Sequence, residues 1–110
     1  NDEQRALAVA KLATKAAAGN EQVTEGLMRA LDDPSAKVRM QALFGWVFRE
    51  GEAALPELIR ALDDPDPAVR KKVVGLGSDK VLLNQAALDS NLSVRQYALM
   101  KLQAKHGVSE

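Results

Sequence analysis

The sequence predicts an all-α fold, an α-solenoid superhelix in which helix pairs stack in line, and three observations carry that expectation. Residues 27–39 read LMRALDDPSAKVR and residues 58–70 read LIRALDDPDPAVR, nine identities in thirteen at an offset of 31. Self-similarity at a fixed period of this size marks a repeat architecture. Each copy also places apolar residues at helical spacing on both sides of an Asp-Asp-Pro turn, and no stretch shows the two-residue alternation of a half-buried strand.

The elements follow in order. Arg5, Ala8 and Val9 stand 34 residues before Arg39, Ala42 and Leu43, so a first helix over 2–18 corresponds to the second helix of a later pair and forms a half repeat. A helix over 20–32 follows, with Leu27, Met28 and Leu31 as one stripe. Its partner runs over 34–49. Proline is tolerated at the first helical position because its missing N–H has no intrahelical acceptor there, and an aspartate before it can cap the first turn, so Asp33-Pro34 and Asp64-Pro65 each open a second helix. The next pair covers 53–63, striped by Leu58, Ile59 and Leu62, and 65–75. Pro56 moves the start of the former helix later and leaves 52–55 as a lead-in turn. The last pair covers 79–88 and 92–105. Here Ala87-Leu88-Asp89 precedes Val94-Arg95 across a loop read as one residue shorter.

Gly19, Gly51, Gly77 and Gly107 follow helical patterns where a left-handed residue is wanted. The repeats then span about 1–19 (the half), 20–50, 51–77 and 78–107, one domain over 1–110 made of about seven helices. The opening Asn1-Asp2-Glu3, with neither initiator methionine nor leader, is that of a processed chain or of a segment of a longer array.

Composition excludes several function classes. Fifteen basic residues balance fifteen acidic ones, which removes the broad electrostatic drive for nucleic acid or anionic membranes. There is no cysteine and His106 is the lone histidine, so disulfide scaffolds, thiolate nucleophiles and the usual zinc sites are excluded. The longest nonpolar run is the heptamer Ala42 to Phe48, against the roughly 20 residues of a membrane helix. A cytoplasmic location is expected.

Phosphate-loop and dinucleotide motifs are missing too, Gly75-Leu76-Gly77 being too short for the latter. His106 belongs to a helix end, where a cation offsets the dipole. Asp32-Asp33 recurs as Asp63-Asp64, so turn chemistry accounts for the pair and no catalytic residue, metal or cofactor is assigned.

The A-L-D-D-P-x-x-x-V-R turn, followed by Ala-Leu on the second helix, resembles HEAT repeats of the bacterial phycobilisome-lyase-like class. The likeness is close around 27–49 and 58–75. In the third copy Asn84 and Gln85 are matched with Leu58 and Ile59 and the spacing contracts to about 25, which is more similar to leucine-rich-repeat-variant units. The resemblance implies a right-handed stack of antiparallel helix pairs whose second helices line a concave face. It also implies a structural ladder between repeats, built from Arg39, Arg70 and Arg95 with Asp32, Asp63 and Asp89. An arginine fork there bridges carboxylates and turn carbonyls.

Function is read from the second helices. Counting from the recurrent valine, positions one, five, six and nine pack inward: Val38, Ala42, Leu43 and Trp46. Positions three, seven and eleven carry Met40, Phe44 and Phe48 where a solvent face is ordinarily polar. The matching positions are Ala6, Ala10 and Thr14 at the start, Lys71 and Gly75 in the next copy, and Gln96 and Met100 in the last. Met40, Phe44, Phe48, Lys71 and Met100 are therefore the candidate partner-binding stripe. It would form a shallow groove with an apolar centre, suited to an amphipathic helix, an extended peptide or self-association, with burial all round as the competing reading.

The leading function is a non-catalytic protein- or peptide-binding scaffold. Two alternatives come from the resemblance: a bilin-lyase-like accessory protein, and a HEAT-like nucleic-acid-binding or glycosylase-related domain. Nucleic acid is disfavoured, because Arg49, Lys71, Lys72 and Lys101 are scattered and Trp46 and Tyr97 read as packing aromatics.

Overall fold

Helices joined by turns and short irregular loops make up residues 1–15 and 21–106, which the computed structural model describes, with no strand among them. The helices are α1 (Asp2–Lys15), α2 (Glu21–Ala30), α3 (Ala36–Glu50), α4 (Leu55–Ala61), α5 (Pro67–Leu76), α6 (Lys80–Ala86) and α7 (Leu92–His106), with a 3-10 turn over Gly51–Ala54. That turn leads into α4, and Pro56 sits in its first turn, where no intrahelical hydrogen bond is lost. The expectations for Gly19, Gly107 and the His106 side chain lie outside the described residues.

The second helices start later than the Asp-Pro punctuation suggests. Asp33, Asp64 and Asp89 do not cap them. Each turns its carboxylate onto the N–H two residues on, accepting from Ser35, Asp66 and Asn91 at 2.9, 2.9 and 2.8 Å. This local Asx turn uses the carboxylate before the helix begins. The N-cap passes to Ser35 for α3 and to Asp66 for α5, whose carboxylate accepts from the Ala68 N–H at 2.8 Å. Pro34 and Pro65 stay in the turn, and Pro67 is the first residue of α5.

The same turn sets the register of the third copy. Asp89 stands six residues before Arg95, as Asp33 does before Arg39 and Asp64 before Arg70, so the loop is not shortened. Leu83, rather than Asn84, is the counterpart of Leu58. Leu82 and Leu83 are fully buried while Asn84 and Gln85 face solvent. The polar pair that made this copy look irregular is its outer face.

The chain divides into two compact units, Asn1–Ala54 and Leu55–Glu110. Contacts in a repeat array run between neighbours, so each unit carries a core of its own. In the first, Ala6, Val9 and Ala13 of α1, Val23, Leu27 and Ala30 of α2 and Val38, Ala42 and Trp46 of α3 form one buried cluster. Burying a side chain such as Leu27 contributes about 1.5–3 kcal/mol. In the second, Leu58, Val69, Val73, Val74, Leu82, Leu83, Val94, Ala98 and Leu102 are buried. Among the described residues no polar or charged side chain is buried.

Two glycines decide local geometry. Gly51 ends α3 at φ 59° and ψ −131°, a positive-φ backbone open to glycine but not the left-handed helical cap expected of it. Gly77 does not share it: its φ is −97° and its backbone is extended, because the chain leaves α5 directly into the short lead to α6. Gly45 serves close packing, since a Cβ there would stand 2.7 Å from the Ala13 Cβ and 3.3 Å from Leu27 Cδ2.

Candidate functional site

The close approach of α3 to α1 at Gly45 and Ala13 produces a groove beside the contact. Its apolar end is a cavity of about 170 Å³ walled by Ala10, Ala13 and Thr14 of α1 and by Gln41, Phe44, Gly45 and Phe48 of α3. A wider cavity of about 330 Å³ continues it past Ala10 and Gln41, which line both, towards Ala6 and Leu7 on one side and Lys37 on the other, with Glu3 and Gln4 at its rim. Small residues on α1 make the floor and bulky ones on α3 the wall. Phe44 is 52% and Phe48 64% exposed although both line the cavity.

The stripe residues fall in different settings. Phe44 and Phe48 share the apolar cavity, joined by Gln41 and Gly45 at i, i+3, i+4 and i+7. Met40 is half-buried and is not part of that wall. Lys71 on α5 and Met100 on α7 are exposed in the second unit. Val38, Ala42, Leu43 and Trp46 are all buried, and Trp46 belongs to the core.

The arginines of the repeats hold turns and neighbouring helices. Arg39 Nη1 donates to the carbonyls of Asp33 and Pro34 at 2.8 and 3.1 Å. Arg70 Nη1 donates to the Asp64 carbonyl at 2.7 Å, and Arg95 Nη1 to those of Asp89 and Ser90 at 2.9 and 3.1 Å. The other edge of the fork reaches a carboxylate of the next turn: Arg5 grips Asp33 through Nε and Nη2 at 2.9 and 3.0 Å, and Arg70 grips Asp89 at 2.8 and 3.2 Å.

Asp32 and Asp63, expected in this ladder, are exposed instead, and the adjacent Asp33 and Asp64 occupy the turn position that Asp89 holds in the last copy. The guanidinium of Arg5 first, then the Ser35 N–H, holds the Asp33 carboxyl below the usual range. For Asp89, desolvation pushes upward, but the Arg70 hydrogen bond, the Asn91 N–H and the charges of Arg70 and Arg95 together bring it below its ordinary value.

Two further cations close helix ends. Arg49 Nη1 donates to the Ala13 carbonyl at 3.1 Å, near the end of α1. Lys101 Nζ donates to Val74, Gly75 and Gly77 carbonyls at 2.7, 3.3 and 2.6 Å, at the end of α5. Burial, followed by the charge of Lys105, lowers the Lys101 ammonium below its ordinary value. Its Nζ also lies 5.9 Å from the centroid of the Tyr97 ring. Sequence reasoning assigned no role to Gln41, Gly45 or this use of Lys101. A glycine in a helix of bulky residues was the one available signal.

Among the described residues no group of three or more His, Cys, Asp or Glu side chains is placed to hold a metal, and no helix is long and apolar enough to cross a membrane. A comparison with curated proteins finds no match. The family model of HEAT repeats matches residues 24–75, from the first half of α2 to the end of α5 apart from its last residue, and so the whole of the two close copies. Residues 24–75 are therefore similar to HEAT repeats, within a chain whose fold is that of an all-α, HEAT-like solenoid.

Proposed function

We propose that the chain is a non-catalytic scaffold that binds a protein or peptide segment, with the groove between α1 and α3 as the centre of the site. The observation that carries this reading is the pair Phe44 and Phe48, which wall an apolar cavity while more than half of each is exposed. HEAT repeats are helical-repeat scaffolds commonly used for protein interaction. A cavity of this size accepts one large apolar side chain, and Gln41 and Thr14 at its edge can hydrogen-bond a peptide backbone. An amphipathic helix or an extended segment anchored by one such residue fits this arrangement.

Lys71 and Met100, exposed on α5 and α7, are the corresponding partner-binding positions within the second unit. Protein is favoured over nucleic acid, since Arg70, Arg95 and Lys101 already donate to turn carbonyls or carboxylates. The A-L-D-D-P turn supports the phycobilisome-lyase-like class within HEAT repeats, and the offset of 25 from Arg70 to Arg95 supports the likeness of the last pair to leucine-rich-repeat-variant units. The setting we infer is cytoplasmic.

The test is selection of a displayed library of random peptides against the full chain, followed by binding to a Phe44→Glu/Phe48→Glu double variant. Selected peptides should carry a large apolar anchor and lose binding to a variant whose helical content and urea midpoint are preserved. Peptides that bind both proteins equally, or a double variant that unfolds, would overturn the assignment.

A further inference from the structure

The groove between α1 and α3 changes character along its length. Glu3 stands 34 residues before Lys37, Ala10 before Phe44 and Thr14 before Phe48, and the members of each pair line the groove from opposite walls. The two helices therefore run side by side in the same direction with their stripes in register. Leu7 and Gln41 make the level in between, so successive levels are three or four residues apart on both helices, about 4.5–6 Å. That is the turn spacing of an α-helix, about 5.4 Å, and it is shorter than the roughly 6.6 Å between same-face side chains of an extended chain.

One end of the groove is charged and the other is not. Glu3 on α1 and Lys37 on α3 are both exposed at the wide end, and neither is in an ion pair among the described residues. The neighbouring charges are used elsewhere: Asp2 accepts from the Ser35 hydroxyl and Arg5 grips Asp33. Leu7, 59% exposed, adds apolar surface just inside the mouth. The far end is the cavity walled by Phe44 and Phe48, about two turns of helix from the charged level.

We propose that the occupant of this groove is an amphipathic helix of mixed charge. A large apolar side chain enters the Phe44–Phe48 end, and two turns away the helix presents an acidic side chain towards Lys37 and a basic one towards Glu3. This rests on the groove being the binding site. Walls of opposite sign select the pattern, since a purely acidic segment meets repulsion at Glu3 and a purely basic one at Lys37. A helix with one sign on each flank of its apolar stripe meets neither, and the signs fix which flank lies on α1.

The probes are peptides selected on the full chain from a displayed library of random sequences, then measured on Glu3→Lys, on Lys37→Glu and on the double variant that carries both. Circular dichroism of each variant checks that helical content is kept. Selected peptides should combine an apolar anchor with an acidic and a basic residue two turns from it. Each single reversal should weaken them about five- to tenfold at low salt, with most of the difference gone at about 0.5 M salt. A peptide with its two charges exchanged should bind the double variant as the parent peptide binds the original chain. Peptides that need Phe44 and Phe48 but ignore the charge reversals would overturn the charge pattern and keep the groove as the site. Peptides indifferent to Phe44 and Phe48 as well would remove the site itself. A dimer of the chain that Phe44→Glu/Phe48→Glu dissociates would seat a second copy in the groove and likewise overturn the proposal.

Discussion

Arg70 and Asp89 form a two-point ion pair, Nε to Oδ2 at 2.8 Å and Nη2 to Oδ1 at 3.2 Å, that joins α5 to the turn ahead of α7. Both side chains are largely shielded, with 14% and 8% of their surface exposed. Arg70 also holds the carbonyl of Asp64, so one side chain links its own turn to the next.

Removal of this arginine leaves a shielded carboxylate and a turn carbonyl without their donor. Arg70→Ala is expected to lower stability by about 1–3 kcal/mol. Arg70→Lys recovers only part, because an ammonium cannot reproduce the fork. Urea unfolding of the two variants measures both effects, and wild-type stability in Arg70→Ala would remove the structural role.

The same pair sets a pH dependence. Asp89 is lowered in the folded state, so its contribution is present above the ordinary aspartate value of about 3.9 and is lost as the pH falls through the lower folded value. Stability measured between about pH 5 and pH 2 should fall more steeply for the wild type than for Asp89→Asn. Parallel curves would show that Asp89 is not linked to folding.

Gly45 and Gly26 should respond differently to the same substitution. Gly45→Ala drives a Cβ to 2.7 Å from the Ala13 Cβ, which can yield only if α1 and α3 separate. Overpacking of this kind costs about 1–3 kcal/mol, offset by up to about 1 kcal/mol of helix propensity. Gly26→Ala meets Leu12 Cδ2, the end of a movable side chain, so it should be near neutral. Equal thermal shifts in the two variants would contradict the close-packed contact.

Helix caps offer a second contrast. Asp66→Ala removes the acceptor of the Ala68 N–H and should cost about 0.5–2 kcal/mol. Ser35→Ala should cost less, since the Ser35 hydroxyl makes no cap hydrogen bond and donates to Asp2 at the surface. Chemical denaturation of both variants orders them.

Lys101→Met keeps the apolar stem and removes the donor to the Val74 and Gly77 carbonyls. A loss of about 1–3 kcal/mol is expected, as for a hydrogen bond to a charged group. Amide exchange should show it first at the end of α5. Exchange unchanged there would mean that water replaces the ammonium without cost.

The repeat, the helix pairs and the buried positions Val38, Ala42, Leu43 and Trp46 were legible in the sequence, because helical periodicity and turn punctuation are local and recur. Other features depend on groups brought together across the chain. Asp32 and Asp33 are adjacent and chemically identical, so only the folded turn shows that Asp33 carries the rung. Lys101 reaches α5 from 27 residues away, and no local pattern records that distance. The surplus of Met40, Phe44 and Phe48 was visible as a pattern, but its division was not. Packing of α3 on α1 through Gly45 turned Phe44 and Phe48 towards a cavity and left Met40 out of its wall. Periodicity specifies which face of a helix is apolar, whereas the neighbour that approaches that face, and how closely, is set by side chains far apart in the chain.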